Sequence, residues 1–320
     1  NVQGPAGFLG SHMLVMHWDG SSWIVMNTPL LDGGGDILFG VEAIAPNDVW
    51  FFGDSLNQTG SPDLAIALHY NGSSFSFVPV PSVNPDVVTF GDGNGLRAGS
   101  ALATNDVWAV GAASDGDSMP APHSQIQHWN GSTWQNIPGP SPGVWHDLNA
   151  VVAIAPNDVW AGGDYFDGTT YHGLALHYDG TSWTQVPIPG GVSDFVAFAS
   201  NDIYAAGGAI MHWDGASWTI AEAFPQVDSA TQSGLTAAGP CELWTGGRQF
   251  IGSQILNFTA HFQPVEIMPG DVTGDGIVNV SDLLAVISAW GTCVNQCPAD
   301  LNSDGVVNIA DLLTVISNWS

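Results

Sequence analysis

Short apolar runs recur along most of the chain. Between residues 151 and 186, VVAIA, VWAGG, LALHY and SWTQV follow one another, separated by Gly, Pro, Asn, Asp and Thr. Alternation over four to eight residues between turn formers predicts strands. Asp-Gly splits two aromatic-rich runs in LALHY-DG-TSWTQV, which predicts a two-residue hairpin turn with positive φ at both positions. Pro-Asn-Asp in AIAPNDVWAGG predicts a turn between a small-residue strand and an aromatic strand. A different period governs residues 270–320. Leu283, Ile287 and Trp290 fall at i, i+4 and i+7, and Leu312, Ile316 and Trp319 repeat the spacing, so two short helices are predicted with those residues on one face.

The strand pattern repeats. One anchor appears as HWDGSSW (17–23), HYNGSSF (69–75), HWNGSTW (128–134), HYDGTSW (177–183) and HWDGASW (212–218), with a degraded copy at His261-Phe262. A second alternates with it: NDVW (47–50, 105–108 and 157–160), NDIY (201–204) and CELW (241–244). One unit holds four strands and cannot bury both faces alone, whereas radially packed units can. The expected fold is mainly β: a β-propeller of four-stranded blades over residues 1–268, six blades or alternatively seven, followed by a small α module over 270–320. The first blade, starting near AGFLGS, lacks its opening strand. Over about 260 residues the pattern resembles bacterial secreted propellers of the Kelch-like and Asp-box-like kind. An Asp-box reads S-x-D-x-G-x-x-W, whereas here Asp179 and Gly180 are adjacent. The resemblance implies an architecture and no activity.

In the C-terminal module, DVTGDGIVNVSDLLAVISAWG (271–291) aligns with DLNSDGVVNIADLLTVISNWS (300–320). Each opens with a twelve-residue loop whose oxygen donors are spaced for Ca²⁺. The first loop offers Asp271, Thr273, Asp275, the Ile277 carbonyl, Asn279 and Asp282. The second offers Asp300, Asn302, Asp304, the Val306 carbonyl, Asn308 and Asp311. Gly276 and Gly305 take the sharp turn. Two Ca²⁺ sites are therefore expected, the first weaker because Thr273 replaces the usual Asn or Asp. No helix-length segment precedes the first loop, so the units are loop–helix halves. They resemble type I dockerins, and the short terminal form with a cysteine pair resembles planctomycete secreted proteins. The resemblance implies a protein partner, a cohesin-like domain, contacted through loop positions 10 and 11. Those are Val280-Ser281 and Ile309-Ala310, more apolar than the Ser-Thr pairs common in cellulosomal examples. That difference favours an unusual partner or another copy of the chain.

Charge narrows the partners. Asp and Glu total 30 against 2 basic residues, Arg97 and Arg248, for a formal charge of −28. Such a surface repels phosphate backbones and anionic lipid, excluding nucleic acid and polybasic membrane contact. No run of about 20 apolar residues predicts a membrane span. The chain begins without an initiator Met, as a processed secreted chain would, and a secreted or cell-surface location is expected. Cys293 and Cys297, close in a loop-rich linker, are expected to pair there as a disulfide. Cys241 is left over.

Much chemistry is missing. Without lysine there is no Schiff base or P-loop, and two arginines cannot form a sialidase-type triad. Asp and His that recur in every blade read as structural, the His bonding across adjacent strands. The recurring tryptophans read as packing between blades. Outside the repeats, Trp145, His146 and Asp147 form the best candidate ligand-binding group, with Trp145 as a stacking platform. The expected function is a non-catalytic extracellular structural or adhesive protein, attached or self-assembled into a filament through its calcium-stapled module. The alternative is a carbohydrate-binding or glycan-active propeller delivered to a scaffold.

Overall fold

A computed structural model describes residues 13–29, 35–55, 64–82, 94–114, 122–223, 229–239, 242–251, 254–262, 270–273, 277–292, 299–302 and 304–319. Asp275, Gly276, Cys241, Cys293 and Cys297 lie outside them. The chain divides into two compact units: residues 1–236 with 244–260, and residues 237–243 with 261–320.

A hairpin of β1 (Val15–Trp18) and β2 (Trp23–Met26) comes first. Four antiparallel four-stranded sheets follow. The first is β3 (Asp36–Ala45), β4 (Asp48–Ser55), β5 (Leu64–Tyr70) and β6 (Phe75–Phe77); the second is β7 (Asn94–Ala103), β8 (Asp106–Ser114), β9 (Pro122–Trp129) and β10 (Trp134–Asn136). The third is β11 (Trp145–Ala155), β12 (Asp158–Phe166), β13 (Tyr171–Tyr178) and β14 (Trp183–Val186); the fourth is β15 (Val192–Ala199), β16 (Asp202–Gly207), β17 (Ala209–Trp213) and β18 (Trp218–Ala223). A three-stranded sheet, β19 (Ser229–Gly239), β20 (Glu242–Ile251) and β21 (Gln254–Phe262), closes the series. The opening strands β3, β7, β11 and β15 pack side by side, blade against blade.

These are the five blades of a β-propeller, not the expected six or seven. The excess came from counting hairpin anchors. HWDGSSW sits in β1–β2, which pairs with no inner strands among the described residues. The NDVW-type anchor starts the second strand of each blade and occurs five times, so it is the sounder counter.

Each anchor has a physical job. The Asp of the second bonds the His of the first across two strands: His69–Asp48, His128–Asp106 and His212–Asp202 at 2.8 Å, His177–Asp158 at 2.9 Å. In the fifth blade Glu242 replaces Asp and meets His261 at 3.1 Å. The imidazole lies over the anchor aromatic, with centroids 4.4 Å apart for Trp50–His69 and 4.3 Å for Trp108–His128. That aromatic then enters the next blade. Trp50 meets Trp134 edge-on at 5.2 Å, Trp108 meets Trp183 at 5.5 Å, and Trp160 meets Trp218 at 5.6 Å. These six tryptophans are buried. As expected, they are the mortar between blades.

The hairpin turn differs from the two-residue expectation. Tyr178 pairs with Trp183, leaving a four-residue loop, Asp179-Gly180-Thr181-Ser182. The Asp179 carboxylate accepts the amides of Thr181 at 2.8 Å and Ser182 at 2.9 Å, and these bonds support the wider loop. Gly180 takes positive φ, at 91°. A Cβ there would also lie 2.8 Å from the Asn157 Cβ, so the loops of the two anchors touch. Asp19, Asn71, Asn130 and Asp214 repeat the motif.

In the C-terminal module, α1 (Val280–Ser288) and α2 (Ile309–Ser317) are joined by the short pair β22 (Gly291–Thr292) and β23 (Val306–Val307). Their core is Val278, Val286, Ala299, Val307 and Val315. The buried stripe differs from Leu283/Ile287/Trp290. Val286 is buried and Leu283 half-buried, while Ile287 and Trp290 are exposed. The helix is turned so that Asp282, one residue before Leu283, reaches back into its loop.

Candidate functional sites: the C-terminal loops and an inter-blade cleft

The helices begin where the loops end. Asn279 and Asn308 cap them, accepting from the amides of Ser281 and Ala310, while Asp282 and Asp311 complete capping boxes. Asp282 Oδ2 takes the Asn279 amide at 2.8 Å, and its Oδ1 takes the Thr273 amide and hydroxyl, each at 2.9 Å. Burial opposes ionisation of Asp282, but these donors outweigh it and bring its pKa down to about 2. Asp311 repeats the pattern, taking the amides of Leu301 and Asn308 at 2.8 Å.

The second loop gathers most of its expected donors. Asp300 accepts the amides of Asp304 and Gly305 at 3.1 and 2.9 Å. Asn302 and Asp304 bond side chain to side chain at 3.0 Å, and Asn308 reaches the Val306 carbonyl at 3.0 Å. In the first loop Asn279 reaches the Ile277 carbonyl at 3.2 Å, and Thr273 reaches Asp271 at 3.4 Å. Among the described residues no three carboxylate, His or Cys side chains close on one point. The donor set nevertheless fits a hard cation. It consists of oxygens alone, Asp282 and Asp311 are fully buried, and neither arginine belongs to this unit.

Outward from the core, each helix carries an apolar stripe. Val280, Leu284 and Ile287 on α1 match Ile309, Leu313 and Ile316 on α2, all about half exposed. Trp290 and Trp319 extend the stripes. The expected contact pairs Val280-Ser281 and Ile309-Ala310 lie at their exposed starts. Sequence reasoning missed Val278 and Val307 as core residues; their matching places in the two copies were the available signal.

In the propeller, Trp145, His146 and Asp147 do not converge. His146 and Asp147 are buried, and as neighbours on β11 they leave it on opposite faces. The Ser124 amide donates to His146 Nδ1 at 2.9 Å, so the His146 proton sits on Nε2, which faces His123 Nδ1 at 3.0 Å. Burial, helped by His123, lowers the His146 pKa to about 4. Asp147 Oδ2 takes Arg97 at 2.8 Å, and Arg97 also bonds Asn149. Burial pushes the Asp147 carboxyl up against the pull of Arg97, and its Oδ1 is buried without a hydrogen bond. Arg97 and Asn149 both stand at β-bulges, where a ladder irregularity re-aims a side chain. Trp145 sits apart, edge-on to Tyr171 at 5.6 Å.

Asp164, missed from sequence, pairs with Asp147 across β11–β12. Burial and the Asp147 charge raise its pKa to about 6. Asp164 lines a cleft of about 680 Å³ with Tyr165, Tyr171, His172, Gln185 and Gly191.

Comparison with known proteins supports this two-part organisation. Residues 269–319 match the dockerin type I domain. No curated protein matches the chain. Among solved structures, a protein of unknown function from Dyadobacter fermentans superposes with a TM-score of 0.52 at 12% identity, over 78% of this chain and 83% of that one. YCF48 bound to D1 peptide gives 0.46 at 15%, over 78% and 75%. The GH74 xyloglucanase from Xanthomonas campestris gives 0.37 at 11%, over 63% of this chain and 31% of that one. At these identities the likeness concerns fold alone. No helix among the described residues is long and apolar enough to cross a membrane. The chain is thus a β-propeller carrying a type I dockerin domain, of the kind that binds calcium and protein partners outside the cell, at residues 269–319.

Proposed function

We propose that this is a secreted, non-catalytic propeller held on an extracellular scaffold by its C-terminal module, which two calcium ions fold and whose two helix stripes dock a cohesin-like partner. The observation that carries the reading is the duplicated exposed stripe, Val280/Leu284/Ile287 and Ile309/Leu313/Ile316, on helices whose buried faces are already satisfied. A contiguous apolar surface of this kind marks a protein contact. The non-catalytic part is supported by the blades: their recurring Asp and His bond each other or turn amides, which leaves them structural.

Titration of the full chain against a cohesin panel with calcium present tests this. Binding is expected for wild type, with at least a hundredfold loss in the Leu284→Asp/Leu313→Asp double variant. Equal binding by the variant overturns the docking surface, and silence across the panel overturns the partner class. A second reading, assembly with another copy, is supported by the β1–β2 hairpin, where Leu14 just before β1 and Trp23 and Val25 on β2 are more than 60% exposed. Sedimentation of the calcium-loaded chain as a monomer at high concentration would rule that out.

A further inference from the structure

The cleft between the third blade and the link that follows it has a charge problem that the chain itself does not solve. Asp164 lies partly buried on its wall and takes no hydrogen bond among the described residues. Its neighbour across the ladder is a second carboxylate, Asp147. The nearby cation, Arg97, is held by Asp147 and Asn149. Gly191, in the link between β14 and β15, faces Asp164, and a Cβ there would come within 2.0 Å of Asp164 Oδ1, so the missing side chain leaves room for the carboxylate. Tyr171, largely exposed, stands on the cleft wall on the Asp164 side, whereas Tyr165, next to Asp164 on β12, leaves the strand on the other face and stacks on His172.

A desolvated carboxylate without donors is relieved most by a group that brings both protons to donate and positive charge. A neutral hydroxyl brings only the first. The exposed ring of Tyr171 on the same wall favours a cation further. A surface with a formal charge of −28 concentrates cations at such a cleft. We propose that this cleft binds an organic ligand through a primary ammonium group seated on Asp164, on the strand face that Tyr171 shares. The ammonium could belong to an amino sugar or to a lysine side chain. The charged groups beside Asp164 are Asp147 and Arg97; His172, elsewhere in the cleft lining, is bonded to Asp167 at 2.8 Å.

Calorimetric titration of the full chain in 150 mM salt tests this with two matched pairs: glucosamine against N-acetylglucosamine, and N-acetyl-lysine amide against N-acetyl-norleucine amide. At pH 7.5 at least one amine is expected to bind, and whichever binds more tightly names the source. Its neutral twin is expected not to bind. Amine affinity is expected to fall about tenfold between pH 7 and 5 as Asp164 takes up a proton, and to vanish in Asp164→Asn. Equal binding of a neutral twin overturns the proposal in favour of a hydroxyl site. Amine binding that survives Asp164→Asn shows general counter-ion attraction and overturns it too, as does no binding of either amine at 50 mM. Repeating the titration with chelator keeps this outcome separate from that of the docking module, because the cleft residues lie within the first unit.

Discussion

The propeller and the C-terminal module use the same residues, Asp and Asn, to opposite ends. In each blade the acid finds its partners within the chain. Asp158 has His177 and the Trp160 indole, and Asp179 has the amides of its own loop. In the module, Asp271, Asp300 and Asp304 crowd into two loops where neutral amides and a hydroxyl donate to them, within a unit that has no lysine or arginine. The cores differ as much. Blades share interlocking clusters such as Trp108, Val110, Leu148 and Trp183, whereas the module buries four valines and an alanine. A core that small does not offset the ordering entropy of about 50 residues. One region is thus held by packing, and the other needs a bound cation to complete it.

The largest break in that comparison is calcium removal. Chelation is expected to melt α1 and α2 completely while leaving the near-ultraviolet signal of the blade tryptophans in place. Thermal scans with and without EDTA would then show one transition lost and one retained. Equal scans would place the module's stability in its valines.

How much of this could be read in the sequence follows the same divide. Residues that recur were legible, because one role repeated in every blade leaves a pattern. The tryptophan mortar, the His–Asp pairs and the calcium-loop spacing are of that kind. Residues that occur once were not. Nothing in HDLNA announces that His146 and Asp147 are buried on opposite faces of β11, or that the bulge at Asn149 brings Arg97 to Asp147. Asp164 is hidden similarly: its environment comes from Asp147 on the neighbouring strand and from Gly191 in the link to the next blade. The blade count failed for a simpler reason. A hairpin anchor proves two strands, whereas a blade needs the inner pair as well. The helix face slipped because the periodicity of Leu283, Ile287 and Trp290 is apolar, yet what orients the helix is a polar residue, Asp282, drawn to the amides of its loop.

The next effect is confined to the propeller. Trp160 is buried against His177, Trp213 and Trp218, with centroids 4.5, 4.8 and 5.6 Å away. Trp160→Ala should cost roughly 3–5 kcal/mol, because the lost transfer energy adds to a cavity that two blades cannot collapse together to fill. Trp23, in the β1–β2 hairpin, belongs to the same repeat position as Trp218 but is 63% exposed. Trp23→Ala should cost no more than about 0.5 kcal/mol. Urea midpoints of the two variants test whether burial, rather than membership of the repeat, decides a tryptophan's worth. Similar shifts would refute it.

The smallest effect is a proton effect, and it separates two kinds of propeller carboxylate. Asp19 and Asp179 have folded pKa values below the ordinary range, Asp19 at about 2, because loop amides and hydroxyls donate to them. Their contribution is present above the unfolded value near 4 and is lost as pH falls below it. Asp164 has the opposite sign: with its pKa raised to about 6, the folded state holds the proton more tightly than the unfolded chain does. It therefore weakens the fold above pH 6, and the penalty disappears as pH falls to about 4. His146, lowered to about 4, runs against it across the same window, since its contribution is full above about 6.5 and lost toward 4. Wild-type stability alone would blur the two. The difference between wild type and Asp164→Asn isolates the carboxylate. The variant should be more stable at pH 7 by on the order of 1–2 kcal/mol, allowing for solvent at the cleft, and the two urea-midpoint curves should converge by pH 4. Parallel curves would mean that Asp164 is not desolvated, and the contrast between acids served by their own loop and acids left waiting in a cleft would lose its clearest case.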